Sequence, residues 1–133
     1  MGLGEDIRTR LVAQGLTDIF VGQFPATPPG PETCIAVLPY PGLPPARVFG
    51  ASLPAYEDSR VQIQARSSDY ASAQRLASDA MNALDWMLDT TLNGVRYHAI
   101  EALQRPAFKL GLDENARTIF AANFAVRRAA STS

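Results

Sequence analysis

Hydrophobic and polar positions change period several times along the chain, and each change marks an element. Ile7, Leu11, Val12 and Leu16 recur at helical spacing among Glu5, Asp6, Arg8 and Arg10. This predicts an amphipathic first helix with acids in its first turn, where the helix dipole favours them. Gly15 is its expected stop. "DIFVGQF" and "ETCIAVLPY" read as two short strands from their β-branched and aromatic content. In "RVQIQARSSDYASAQRLASDAMNALDWML" the period switches from that of a strand to that of a helix. Val61, Ile63 and Ala65 alternate with Arg60, Gln62, Gln64 and Arg66, so that strand is wet on one face. Ser67, Ser68 and Asp69 then supply helix N-cap oxygens. Ala73, Leu76, Ala77, Ala80, Met81, Leu84, Met87 and Leu88 make one wide apolar stripe, which predicts a single long helix ended by "DTTLNGV". Trp86 lies near that stripe and is expected to rim the core.

The remainder reads as β structure. "VRYHAIEALQRP" is a strand closed by Pro106, and "FKLGLDENAR" is a connection centred on residues 111–115. "RTIFAANFAVRR" is a final strand with Phe120, Ala122, Phe124 and Val126 on one face, before a frayed tail at 129–133. Strands in runs with few helices between them favour an α+β fold. The expectation is a mostly antiparallel sheet with two helices, one of them long, packed on one face. At 133 residues the chain is one domain.

Nine of the ten prolines fall between Pro25 and Pro54, where each fixes φ and removes a ladder donor. The stretch at about 39–58 is long for a loop and reads as a projecting arm, with a plain surface loop as the alternative. Tyr40, Phe49 and Tyr56 sit in or beside it, and aromatics on a stiff loop mark a protein contact more often than a small-molecule site.

Charge and chemistry narrow the function. Twelve basic against thirteen acidic side chains argue against a dedicated nucleic-acid binder, which carries a basic excess. Cys34 is the only cysteine, so no intramolecular disulfide forms, and as a small apolar strand residue it is expected to be buried. His98 is the only histidine; alternation places it with Arg96 and Ile100, away from any nucleophile, as a structural residue. One cysteine and one histidine cannot close a zinc site. "GLDEN" lacks the alternating ligands of a calcium loop, and "GLGED" lacks the spacing of a phosphate loop. The first residues do not read as a secretory signal, and no run approaches the roughly 20 apolar residues of a membrane span. The expectation is a soluble, intracellular protein with no catalytic residue, metal or cofactor: an interaction module.

The ordered pattern also carries a resemblance. The strand ending "VQIQAR", its polar cap and "DYASAQRLASDAMNALD" are followed by "YHAIEALQRPAFKLGLDENARTIFAANFAVRR", and preceded by "LPYPGLPP". From about Leu11 onward this resembles the family of bacteriophage minor capsid proteins that contains tail terminator-like proteins of long-tailed phages. Ala116 departs from it, standing where glycine is expected in the turn. The resemblance implies a non-enzymatic virion protein, assembled in the host cytoplasm, whose copies form a ring, commonly a hexamer. Such a ring caps the head-proximal end of the tail tube and halts its polymerisation. Its implied partners are other copies, the major tail tube protein and the head–tail connector protein. DNA passes through without specific binding, and no membrane is involved. Another head–tail joining or tail completion protein stays open as an alternative, as does a small-molecule-binding α+β domain or a hydrolase, which only Cys34 and His98 could serve.

Ring assembly needs two different patches per subunit. The residues expected to supply them are Tyr40, Arg47, Phe49 and Tyr56 on the arm and Arg60, Gln62, Gln64 and Arg66 on the strand rim. Asp113 and Arg117 are expected to stabilise the last turn or face a partner.

Overall fold

A computed structural model describes residues 2–25, 32–40, 46–47, 54–113 and 116–129, with backbone only at 46–47 and 54–56. The elements are α1 (Leu3–Ala13), β1 (Ile19–Val21), β2 (Cys34–Tyr40), β3 (Ala46–Arg47), β4 (Pro54–Ser67), α2 (Tyr70–Leu84), β5 (Met87–Leu92), β6 (Val95–Ala102), β7 (Phe108–Leu112) and β8 (Thr118–Ala129). Most of the proline-rich stretch lies outside the described residues; its two ends are drawn into β2 and β4.

Two long strands form the axis. β4 and β8 pair antiparallel from Tyr56↔Ala129 to Ser67↔Thr118. On the far edge of β4 lie β2 and β3, and on the far edge of β8 lie β6 and β7; the main order is β1-β2-β4-β8-β6-β5. This corrects the expected fold class. About half of the described residues are strand, and the sheet is mixed, because β1 joins β2 in parallel, and curled into a half-barrel. The second helix is not the long one expected. It stops at Leu84 because Asp85 is recruited elsewhere: its carboxylate accepts from the Ala102 N–H at 2.8 Å and pairs with Arg105. Met87 and Leu88, which continue the helical stripe in sequence, instead open strand β5. Asn93 and Gly94, both at positive φ, close the β5–β6 hairpin in the two-residue form such turns require. "FKLGL", expected as a connection, is strand β7.

The core lies on one side of this axis. Val61, Ile63 and Ala65 face Phe124, Ala122 and Phe120 across the ladder, and all six are buried. Ala73, Ala77 and Ala80 bury one face of α2 in the same cluster, which starts on an Asp69 cap accepting from the Ser72 N–H. Ile7 and Leu11 of α1 are fully buried, each contributing roughly 1.5–3 kcal/mol. A Cβ at Gly4 would meet the Val21 side chain at 2.5 Å, so only glycine lets α1 lie this close to β1. Arg10 donates to the Ala83 carbonyl in the last turn of α2, where the helix dipole favours a cation.

The polar side of α1 is not left to water. Asp6 is fully buried and accepts hydrogen bonds from the Tyr97 hydroxyl and, at 2.7 Å, from Asn93 Nδ2, with Arg128 4.0 Å away. One carboxylate thus ties α1 to β6, the hairpin turn and β8. Burial, and next the Asp6 bond, push the Tyr97 phenol well above the tyrosine range. Tyr97→Phe is expected to cost about 1–3 kcal/mol in chemical denaturation, since it strips a donor from a buried carboxylate. A raised folded-state pKa stabilises the fold below the unfolded value and is lost as pH rises. The stability gap between wild type and Tyr97→Phe therefore narrows above about pH 10; a gap that widens there contradicts the assignment.

Candidate interaction surface

Among the described residues no helix lies on the opposite face of the sheet, and the registers arrange that face in rows. Leu38, Gln62 and Asn123 form one row, and Tyr40, Arg60, Ala125 and Glu101 the next. Asp58, Arg127, Ala99 and Leu88 follow. The alternation that buries Val61, Ile63, Phe124 and Val126 on the core side necessarily delivers these residues to the other side.

Amides occupy the middle of this face. Gln64 Nε2 donates to Gln62 Oε1 at 2.6 Å, and Gln62 Nε2 donates to Asn123 Oδ1 at 3.0 Å. Beside them, Leu38, Pro39, Tyr40, Gln62 and Asn123 line an open hollow of about 440 Å³. A smaller, charged depression of about 210 Å³ lies between Arg60 and Glu101, over Ala125 and next to the Asp58–Arg127 pair at 3.0 Å. That pair is largely exposed on its arginine side and adds little to stability. Arg60 donates only to its own neighbour's carbonyl, at Ser59, and neither Arg60 nor Glu101 is ion-paired among the described residues.

The structure separates the expected contact residues. Tyr40, Arg60, Gln62 and Gln64 share this face. Arg66 does not belong to an open rim: it is 4% exposed, stacks its guanidinium 4.6 Å from the Phe24 ring and donates to the carbonyls of Glu32 and Pro25. Arg47 and Tyr56 are placed by backbone alone, and Phe49 lies outside the described residues. Asp113 and Arg117 close the turn before β8. Arg117 is buried, its Nε donates to Asp113 Oδ2 at 2.7 Å, and its N–H donates to Asp113 Oδ1 at 2.9 Å. His98 is half-buried; a bulge between Tyr97 and Ala99 breaks the expected alternation with Ile100. Cys34 is fully buried, and burial pushes its thiol up, away from the reactive thiolate.

Trp86 is the residue that sequence reasoning misplaced. It is 68% exposed, with φ at 60°, directly after the Asp85 cap of α2. Helices end there with glycine at no cost, whereas a bulky left-handed residue costs about 1–2 kcal/mol. Leu88, two positions on, is 54% exposed. Glu101 and Asn123 were also missed, although the alternation of β8 could have found Asn123 opposite Phe124.

Ala116 stands at φ 60° in the Asp113–Arg117 turn, donating its N–H to the Asp113 carbonyl at 3.0 Å. That conformation explains why glycine is the expected residue. Ala116→Gly should raise stability by about 1 kcal/mol in urea unfolding, and a loss would show the turn is misread. Asp113→Ala, which removes a partner of a buried guanidinium, should lower the melting temperature and cost about 1–3 kcal/mol; an unchanged midpoint would show that the pair carries nothing.

A family model described as bacteriophage tail terminator protein matches residues 4–129. No curated protein matches the chain. Among solved structures, a chain from the virion of a native gene transfer agent particle is 18% identical with a TM-score of 0.64, and the match covers 96% of this chain and 94% of that one. Another is 15% identical with a TM-score of 0.54, covering 94% of this chain and 96% of that one. At these identities the likeness shows a shared fold.

Proposed function

The chain belongs to the bacteriophage tail terminator family, whose members are phage structural proteins, and from that premise we propose that it acts at the head-proximal end of a phage tail. There its copies close into a ring, a hexamer, that caps the tail tube, stops its polymerisation and presents a surface to the head–tail connector protein. The partners are other copies of the chain, the major tail tube protein and the connector, with DNA threading the ring without specific binding.

The observation that supports this reading most is the family match across residues 4–129, nearly the whole chain. The physics accords with it. A cap that adds to a tube needs surfaces, and the chain holds a sheet whose helix-free face mixes apolar and polar residues, carries both charge signs and offers open depressions. A formal charge of −1 leaves no overall basic excess to hold passing DNA.

Gold labelling of this chain on isolated tails in the electron microscope tests the reading. Label at one end of each tail, with overlong tubes when the chain is withheld from assembly, is the expected result. Tails of ordinary length without the chain, or label along the whole tube, would overturn it.

A further inference from the structure

Two features of the helix-free face sit at opposite ends of one row of residues. At one end is the hollow of Leu38, Pro39 and Tyr40, walled by Gln62 and Asn123. Here β2 is an open edge among the described residues, because β1 pairs only as far as Val37. At the other end Trp86 precedes the edge strand β5. Met87 pairs with Ile100, and Trp86 and Glu101 each lie one position beyond that pair, where the ladder ends. The row runs Tyr40, Arg60, Ala125, Glu101 across the sheet, and Trp86 stands just before the strand that flanks its Glu101 end.

The two ends are complementary. One projects a large exposed indole beside an exposed carboxylate, Glu101, that has no ion-pair partner among the described residues. The other offers a hollow with an apolar wall and amide oxygens, next to a guanidinium, Arg60, that likewise has no ion-pair partner among the described residues. An indole brings one N–H donor and no acceptor, and an amide oxygen can accept it. Trp86, 68% exposed, gives the fold little in return for its left-handed backbone, the kind of strain that marks functional positions.

We propose that Trp86 of one copy seats in the Leu38–Tyr40 hollow of the next, while its Glu101 pairs with the partner subunit's Arg60. Projection and hollow are different patches, so the contact is heterologous, the class that closes into a ring when its rotation closes. The inference rests on the ring reading above and gives it a residue-level joint. Aromatic anchors in pockets carry most of the energy of such joints, and the flanking charges set who pairs with whom.

Sedimentation velocity of the purified full-length chain over a range of micromolar concentrations tests it. The wild type associates. Trp86→Gly weakens association by about 30-fold or more, while its melting temperature stays level or rises because the backbone strain is relieved. Glu101→Arg alone and Arg60→Glu alone stay monomeric, since each sets like charges against each other at every joint. Mixing those two variants restores association, because each then meets an opposite charge on its neighbour, and the double variant associates by itself. A wild type monomeric throughout, single variants that associate as well as wild type, or a mixture that stays monomeric overturns the joint. Gold at tail ends with variants that all behave alike would remove this joint and leave the tail reading standing; charge-restored association in a chain absent from tails would do the reverse.

Discussion

The register of β4 against β8 is the constraint from which the rest follows. With Val61 opposite Phe124 and Ile63 opposite Ala122, every odd-numbered core residue of β4 meets an even-numbered one of β8. Strand side chains alternate, so a slip of one residue would send the core to solvent and bring Gln62, Asn123 and Arg60 inside. The apolar demand of one face therefore fixes the composition of the other. The helices reinforce this choice: α2 lays its alanines on the core side, and α1 reaches the same side through Gly4 and the buried Asp6.

Legibility in the sequence followed the reach of each signal. The cap at Asp69, the Asn93–Gly94 turn and the shared face of Phe120, Ala122, Phe124 and Val126 are local patterns, and the structure has all three. The fold class was not legible, because three things that shape the sheet are non-local. Met87 and Leu88 satisfy helical periodicity, yet the β6 edge and the carboxylate of Asp85 decide their fate. Strand β7 contains Gly111 and ends in a turn, so in sequence it reads as connection. The parallel addition of β1 to β2 leaves no trace in either segment.

The surface was legible only in half. Alternation alone put Arg60, Gln62 and Gln64 together, because strand parity is a sequence property. Arg66 shares their parity but is covered, since Phe24 and the carbonyls of Pro25 and Glu32 gather over it from another part of the chain. Trp86 went the other way: its apolar character argued for the core, while the end of α2 one residue earlier turned it outward. Residues at element ends are where periodicity ceases to bind, and here that is also where the chain offers its largest exposed ring.

The central claim is that buried sheet and helices form a frame whose helix-free face and strand edges meet other molecules. Backbone hydrogen–deuterium exchange, compared between the free chain and the chain on assembled tails, tests it directly. New protection is expected at residues 38–40 and 86–92, with α1 and α2 exchanging as they do in the free chain. Protection confined to the helices, with both of those segments unchanged, would contradict it.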